Sequence, residues 1–203
     1  INDLTRAIGR NDNSEVRKLL QQLGHTPFSR KEKPSPYDEA VSLNWYLGNI
    51  FYPVMGQIID KFAAQYESEI DQNRELMTIG FWPGGDRDGN PFVNVATTLR
   101  VAAKLRYNIA GCYHRDVRDL KRRLTFAGTY DILEGIEKQL HDEMSESKPH
   151  YTLDARALVA KLDEIESILL ERHEGLFVEK LRCFRRKVHL FGFFFASLDI
   201  RQD

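Results

Sequence analysis

Apolar residues Leu4, Ala7, Ile8, Val16, Leu19, Leu20 and Leu23 recur at three- and four-residue steps, interrupted by the polar stretch Gly9 to Ser14. That spacing predicts two short helices. The basic, proline-containing stretch Thr26 to Ser35 reads as a connector. Ser35-Pro36-Tyr37-Asp38 reads as a helix start: Ser35 can cap, Pro36 suits a first turn that has no use for its missing N–H, and Asp38 favours the positive end of the helix. A long helix should run from there towards Asp71, kinked at Pro53 with Gly48 and Gly56 nearby. Leu76 to Trp82 is a short apolar run that predicts a strand, and the glycine-rich Gly84 to Pro91 forces a sharp turn after it. Asn94 can cap a helix from Val95 to about Leu124, in which Leu99, Ala102, Ala103, Leu105 and Ile109 keep helical spacing. Further helices are expected at about Tyr130 to Met144, Leu153 to Leu170 and Gly175 to Val188, with a polar loop from Ser145 to Thr152. The apolar tail Leu190 to Ile200 reads as a buried strand that delivers polar groups at its C-terminal end, where parallel α/β barrels build their sites. No internal repeat is visible, and the expected fold class is mainly α, a helical segment with about two strands.

Composition narrows the function classes. The 203 residues are 42% hydrophobic, enough for a sizeable core. A formal net charge of -1 supplies no overall pull toward nucleic acid or an acidic membrane surface. Cys112 and Cys183 lie far apart and match neither a disulfide framework nor a C-x-x-C pattern, which fits a reducing cytoplasm. No apolar run approaches the roughly 18 to 20 residues of a membrane span. The chain begins at Ile1 rather than at a methionine and stops at Asp203, directly after the apolar tail. We therefore expect an excised segment whose neighbours complete a sheet or barrel, helical over 1–75, with strand, glycine loop and further helices over 76–203.

The candidate chemistry is concentrated in Gly84-Gly85-Asp86-Arg87-Asp88-Gly89-Asn90-Pro91. Glycines there allow positive φ or close backbone approach. Asp86, Asp88 and Asn90 have the alternate spacing of a calcium loop, but Pro91 and Thr97 stand where that loop needs Gly and a bidentate Glu. No G-K-[ST] follows, so a Walker-type phosphate cradle is excluded. Two readings stay open: a rigid loop whose ion pairs, such as Arg87 with Asp86 or Asp88, brace a neighbouring site, and an ordinary tight turn with solvated charges. Arg201, at the end of the apolar tail, offers a planar, permanently charged fork for phosphate or carboxylate, or a salt bridge to Asp199 or Asp203. Arg182, Arg185, Arg186 and Lys187 read as a solvated helix face. The six histidines show no metal-ligand pairing, and neither a G-x-S-x-G elbow nor a catalytic cysteine context is present.

Two stretches carry a resemblance. Phe81-Trp82-Pro83-Gly84-Gly85-Asp86-Arg87-Asp88-Gly89-Asn90-Pro91 resembles the S-W-x-G-G-D-R-D-G-N-P signature of phosphoenolpyruvate carboxylases. Phe191-Gly192 through Leu198-Asp199-Ile200-Arg201-Gln202-Asp203 is similar to their F-G-x-x-x-x-x-L-D-I-R-Q-E segment. A weaker match, Lys33-Pro34-Ser35-Pro36-Tyr37-Asp38-Glu39-Ala40, is similar to the family's K-P-T-P-x-D-E-A helix start.

The resemblance implies an internal fragment of a large, mainly helical lyase built around an eight-stranded barrel, with Leu76 to Trp82 and Phe193 to Ile200 as two of its strands. It implies a cytoplasmic enzyme, a tetramer as a whole, that carboxylates phosphoenolpyruvate with bicarbonate to oxaloacetate and phosphate, feeding the tricarboxylic acid cycle. Arg201 would bind substrate phosphate, and Gly84, Gly85, Asp86, Arg87, Asp88 and Asn90 would line or brace the barrel mouth. The family's histidine motif T-A-H-P-T-E lies upstream, and its Mg²⁺ or Mn²⁺ ligands, catalytic lysine and G-R-G-G loop lie downstream. No catalytic residue or metal ligand is therefore assigned within this chain, and the fragment alone is expected to be inactive. Ser197 stands where many members carry arginine, Asp203 replaces a glutamate, and Pro83 and Phe92 differ from common forms.

Overall fold

The computed structural model describes residues 2–27, 33–70, 77–88, 90–144 and 153–201. The expected loop Ser145 to Thr152, the middle of the Thr26 to Ser35 connector, Gly89, and the ends Gln202 and Asp203 lie outside them. Two compact units divide between Pro34 and Ser35. The first holds α1 (Asn2–Gly9) and α2 (Asn13–His25), the two short helices the spacing predicts. Asp12 caps α2 by accepting from the Glu15 N–H at 3.0 Å.

The second unit begins with the helix start read from Ser35. The Ser35 hydroxyl accepts from the Asp38 N–H, and the Asp38 carboxylate accepts from the Ser35 N–H, a reciprocal cap with Pro36 in the first turn. From there α3 (Pro36–Tyr46) passes through a π-helical turn (Leu47–Phe51) into α4 (Tyr52–Ile70). Pro53 has no N–H to give and cannot sit in an unbroken α-ladder. The wider turn just before it absorbs the mismatch, with the Tyr52 N–H reaching back to the Leu47 carbonyl. Gly48 contributes close approach: a Cβ there would stand 2.8 Å from Asn108 Oδ1.

The centre of the unit is α5 (Val95–Lys121), capped by Asn94 at 2.9 Å to the Thr97 N–H. Its residues Leu105, Ile109, Cys112, Tyr113 and Val117 are buried at helical spacing against α6 (Tyr130–Glu143) and α8 (Val178–Phe191). The helix α7 (Ala155–Arg172) packs Leu158, Leu162, Ile165 and Leu169 into the same core. Ion pairs stitch α8 to its neighbours. Arg186, only 7% exposed, meets Asp60 of α4 at 2.9 Å and Glu179; Lys187 meets Asp116 of α5 at 2.8 Å; Arg182 and Arg185 converge on Glu166 of α7. The four cations read as a solvated face instead form a seam between helices. Three helices surround α8, so most of its faces find an acidic partner.

Among the described residues the extended structure is two short parallel strands, β1 (Gly80–Phe81) and β2 (Ser197–Leu198), with Gly80 opposite Ser197 and Phe81 opposite Leu198. The fold class is mainly α, as expected, but the expected strands are far longer than the observed ones. The apolar tail is helical up to Phe191, turns at Gly192 (φ +52°) and Phe195 (φ +64°), and becomes extended only at Ser197. Its apolar character comes from burial of Phe191, Phe193 and Phe195 in an aromatic cluster with Tyr52, Tyr113 and Phe184. The Tyr113 hydroxyl donates to the Gly192 carbonyl at 2.5 Å and fixes the turn.

Candidate active site segment

Because β1 and β2 run parallel, whatever follows each of them emerges at the same edge. After β1 comes the glycine loop; after β2 come Asp199 and Arg201. The loop folds back at once, with the N–H groups of Gly85 and Asp86 both donating to the Trp82 carbonyl at 2.9 and 3.2 Å. Gly84 sits at φ +82°, and a Cβ there would also fall 2.5 Å from Val101 Cγ2 of α5. Gly85 is required for a different reason: its Cβ would lie 2.4 Å from the Asp199 carbonyl oxygen. The close backbone approach to the end of β2 is therefore the work of Gly85, while Gly84 packs on α5.

That approach lets loop and tail pair beyond the strands. Asp86 and Arg201 form a parallel bridge, in which the Arg201 N–H donates to Gly85 O at 3.3 Å and the Arg87 N–H donates to Arg201 O at 3.0 Å. The loop's polar side chains hold its own shape. Asp86 accepts from the Asp88 N–H at 3.3 Å, Asn90 accepts from the Phe92 N–H at 3.1 Å, and the Arg87 guanidinium reaches the Thr98 hydroxyl at 3.3 Å. The side-chain oxygens of Asp86 and Asn90 thus serve backbone turns, which argues against the calcium reading. Among the described residues no three His, Cys, Asp or Glu side chains gather as a metal ion would need. The described residues therefore do not fit Mg²⁺ or Mn²⁺.

Arg201 is 64% exposed at its side chain and clamps Asp199 through Nε at 3.0 Å and Nη2 at 2.8 Å, both on one oxygen. The Asp199 hydrogen bond and charge, followed by the charges of Asp86 and Asp88, hold its guanidinium above its usual pKa. Of the two roles left open for Arg201, the salt bridge to Asp199 is thus present; Asp203 lies outside the described residues. Gly80, Phe81, Trp82, Asp86, Asp199 and Arg201 line a cleft of about 380 Å³. One guanidinium there faces two carboxylates, Asp86 and Asp199, so the cleft lining alone is net negative. An anionic ligand needs further cations supplied from beyond this loop and strand end.

One contributor escaped the sequence reading. Thr98, buried on the first turns of α5, donates its hydroxyl to the Gly84 carbonyl at 2.7 Å. Nothing in its helical spacing distinguishes it from the neighbouring Thr97; only the way the loop packs on α5 selects it.

The family model described as phosphoenolpyruvate carboxylase matches residues 2–152. A phosphoenolpyruvate carboxylase of Pseudomonas putida is 30% identical over 99% of this chain and 26% of its own length. Those of Shewanella halifaxensis and Vibrio vulnificus are each 26% identical, over 93% and 100% of this chain and 25% and 27% of their own lengths. The chain spans about a quarter of the length of the curated relatives it matches.

Proposed function

Because this chain belongs to the phosphoenolpyruvate carboxylase family, we propose that it forms one wall of an active site that carboxylates phosphoenolpyruvate with bicarbonate, giving oxaloacetate and inorganic phosphate. The observation that supports this most directly is the junction of the glycine loop with Arg201 beyond the C-terminal ends of two parallel strands, the edge at which parallel barrels place their chemistry. In this reading β1 and β2 are neighbouring strands of a barrel that the remainder of the protein completes.

The reaction moves a phosphoryl group from the enol oxygen of phosphoenolpyruvate to a bicarbonate oxygen, leaving an enolate and carboxyphosphate. Carboxyphosphate then breaks into CO₂ and phosphate, and the enolate carbon attacks the CO₂. Negative charge is shared throughout, so pre-positioned cations supply most of the catalysis. Arg201 is the cation this chain contributes: its exposed fork binds substrate phosphate, while Asp199 holds the guanidinium plane in place. The Gly84 to Asn90 loop braces that arginine from the opposite strand and does not touch the reacting atoms. Mg²⁺ or Mn²⁺, the further cations, the histidine and the lysine come from the remainder of the protein, which accounts for the net negative cluster seen here. The whole protein is a cytoplasmic homo-oligomer; among the described residues no helix is long and apolar enough to cross a membrane.

The test is oxaloacetate formation by the full-length protein with phosphoenolpyruvate, bicarbonate and Mg²⁺, alongside its Arg201→Ala variant. Activity that falls by two orders of magnitude or more in a folded variant, about what one transition-state charge contact contributes, supports the assignment. An unchanged kcat/KM reduces Arg201 to a salt-bridge partner, and a folded, silent wild type overturns the enzyme reading.

A further inference from the structure

We propose that Thr98 is a positioning residue for Arg201, acting through the glycine loop; this rests on the phosphate-binding role assigned to Arg201 above. The hydroxyl of Thr98, on α5, bonds to that loop twice, and it is joined to Arg201 by two separate routes. In the first, Thr98 Oγ1 donates to the Gly84 carbonyl at 2.7 Å, and the next carbonyl along the chain, that of Gly85, accepts from the Arg201 N–H at 3.3 Å. In the second, the same oxygen accepts from Arg87 Nη2 at 3.3 Å, and the Arg87 N–H donates to the Arg201 carbonyl at 3.0 Å. The Asn94 carbonyl lies at 3.2 Å from the same hydroxyl, but the Gly84 carbonyl at 2.7 Å is the closer acceptor, so one buried hydroxyl joins both residues that grip Arg201 from either side.

The steric contacts make this coupling stiff. Gly84 lies against Val101 one turn further along α5, and Gly85 against the Asp199 carbonyl, so the loop is in close contact with α5 on one side and the end of β2 on the other. A displacement at Thr98 is passed to the backbone of Arg201 rather than absorbed. Asp199, the guanidinium's own partner, lies on the same short tail and moves with it. The rigid helix α5 thus sets the height of the guanidinium above the strand ends through a single oxygen.

The experiment compares Thr98→Val, which keeps the shape and removes the hydroxyl, with Thr98→Ser, which keeps the hydroxyl, in the full-length protein. Losing the hydroxyl removes both the bond to the Gly84 carbonyl and the bond from Arg87, which is expected to raise the KM for phosphoenolpyruvate about tenfold in Thr98→Val. The KM for bicarbonate should not move, and Thr98→Ser should restore the wild-type value. A role confined to stability would lower Tm and leave the constants of the folded enzyme unchanged, and that result overturns the proposal. If Thr98→Val does not fold, Thr98→Cys takes its place: a raised phosphoenolpyruvate KM supports the coupling and a wild-type KM overturns it. If the wild type itself is silent, the functional reading fails separately, and amide exchange decides the structural half. Faster exchange at the Arg201 N–H in Thr98→Val keeps the coupling, and an unchanged rate removes it.

Discussion

Replacing Gly85 with alanine puts a single methyl group into the tightest backbone contact of the candidate site. The added Cβ would stand 2.4 Å from the Asp199 carbonyl oxygen, whereas real Cβ atoms essentially never approach closer than 3.0 Å. Loop and tail must therefore separate by at least ~0.6 Å, with main chain on both sides of the clash and no flexible side chain to yield. That movement stretches the Arg201 N–H to Gly85 O bond from 3.3 Å beyond hydrogen-bonding range and strains the Arg87 to Arg201 bond of 3.0 Å. Two backbone bonds at about 1 kcal/mol each, with some strain, give an expected loss of about 2–3 kcal/mol. Gly80→Ala is the matched control, since a Cβ there meets nothing within 4 Å. Amide exchange at Arg87 and Arg201, together with the denaturation midpoint, reads the effect. Gly85→Ala should deprotect both amides and lower the midpoint, while Gly80→Ala should leave both near wild type. Equal protection in the two variants would refute the claim that backbone contact at Gly85 holds Arg201.

Three other outcomes follow from the surrounding helices. Arg106→Met should cost about 3 kcal/mol, because it takes from the Glu143 carboxylate, whose side chain is 0% exposed, two bonds of 3.0 and 2.9 Å; a loss below about 1 kcal/mol in urea titration would show that its other partners, the Leu153 N–H among them, satisfy it. Burial pushes the thiols of Cys112 and Cys183 up to about 11, so both should stay protonated at pH 8, with Cys112 unmodified and Cys183 only slowly modified by iodoacetamide in mass spectrometry. Burial, partly opposed by Glu137, lowers the pKa of His114 below its ordinary 6.5. The unfolded chain then takes up that proton first, so stability should fall as pH drops from 6.5 toward the folded-state value and level off below it. His114→Gln should flatten that part of the stability curve measured by denaturant titration, and an unchanged slope would assign the effect elsewhere.

The order and type of the helices were legible in the residues because each carries its own local instruction. Ser35, Pro36 and Asp38 cap one helix, Asn94 caps another, and apolar spacing marks the buried face of α5; these effects act within a few residues and need no distant partner. The glycine loop stood out as a candidate for a related reason, since three glycines, two aspartates and an arginine crowd into eight positions, whereas spacing left Arg201 open between an anion fork and a salt bridge. Distance along the chain hid the rest. The apolar tail reads as a buried strand, and only the aromatic cluster around Tyr113 and Tyr52 decides that it turns at Gly192 and Phe195 instead. The basic residues of α8 look solvated until α4, α5 and α7 bring Asp60, Asp116 and Glu166 against them. Gly85 permits close approach, but what approaches, the Asp199 carbonyl, lies more than a hundred residues away. Which groups exist, and where the chain can turn, was thus determined locally. Which of them meet was decided by packing, because the contacts that place Arg201 are backbone and hydroxyl bonds to residues with no spacing in common with it.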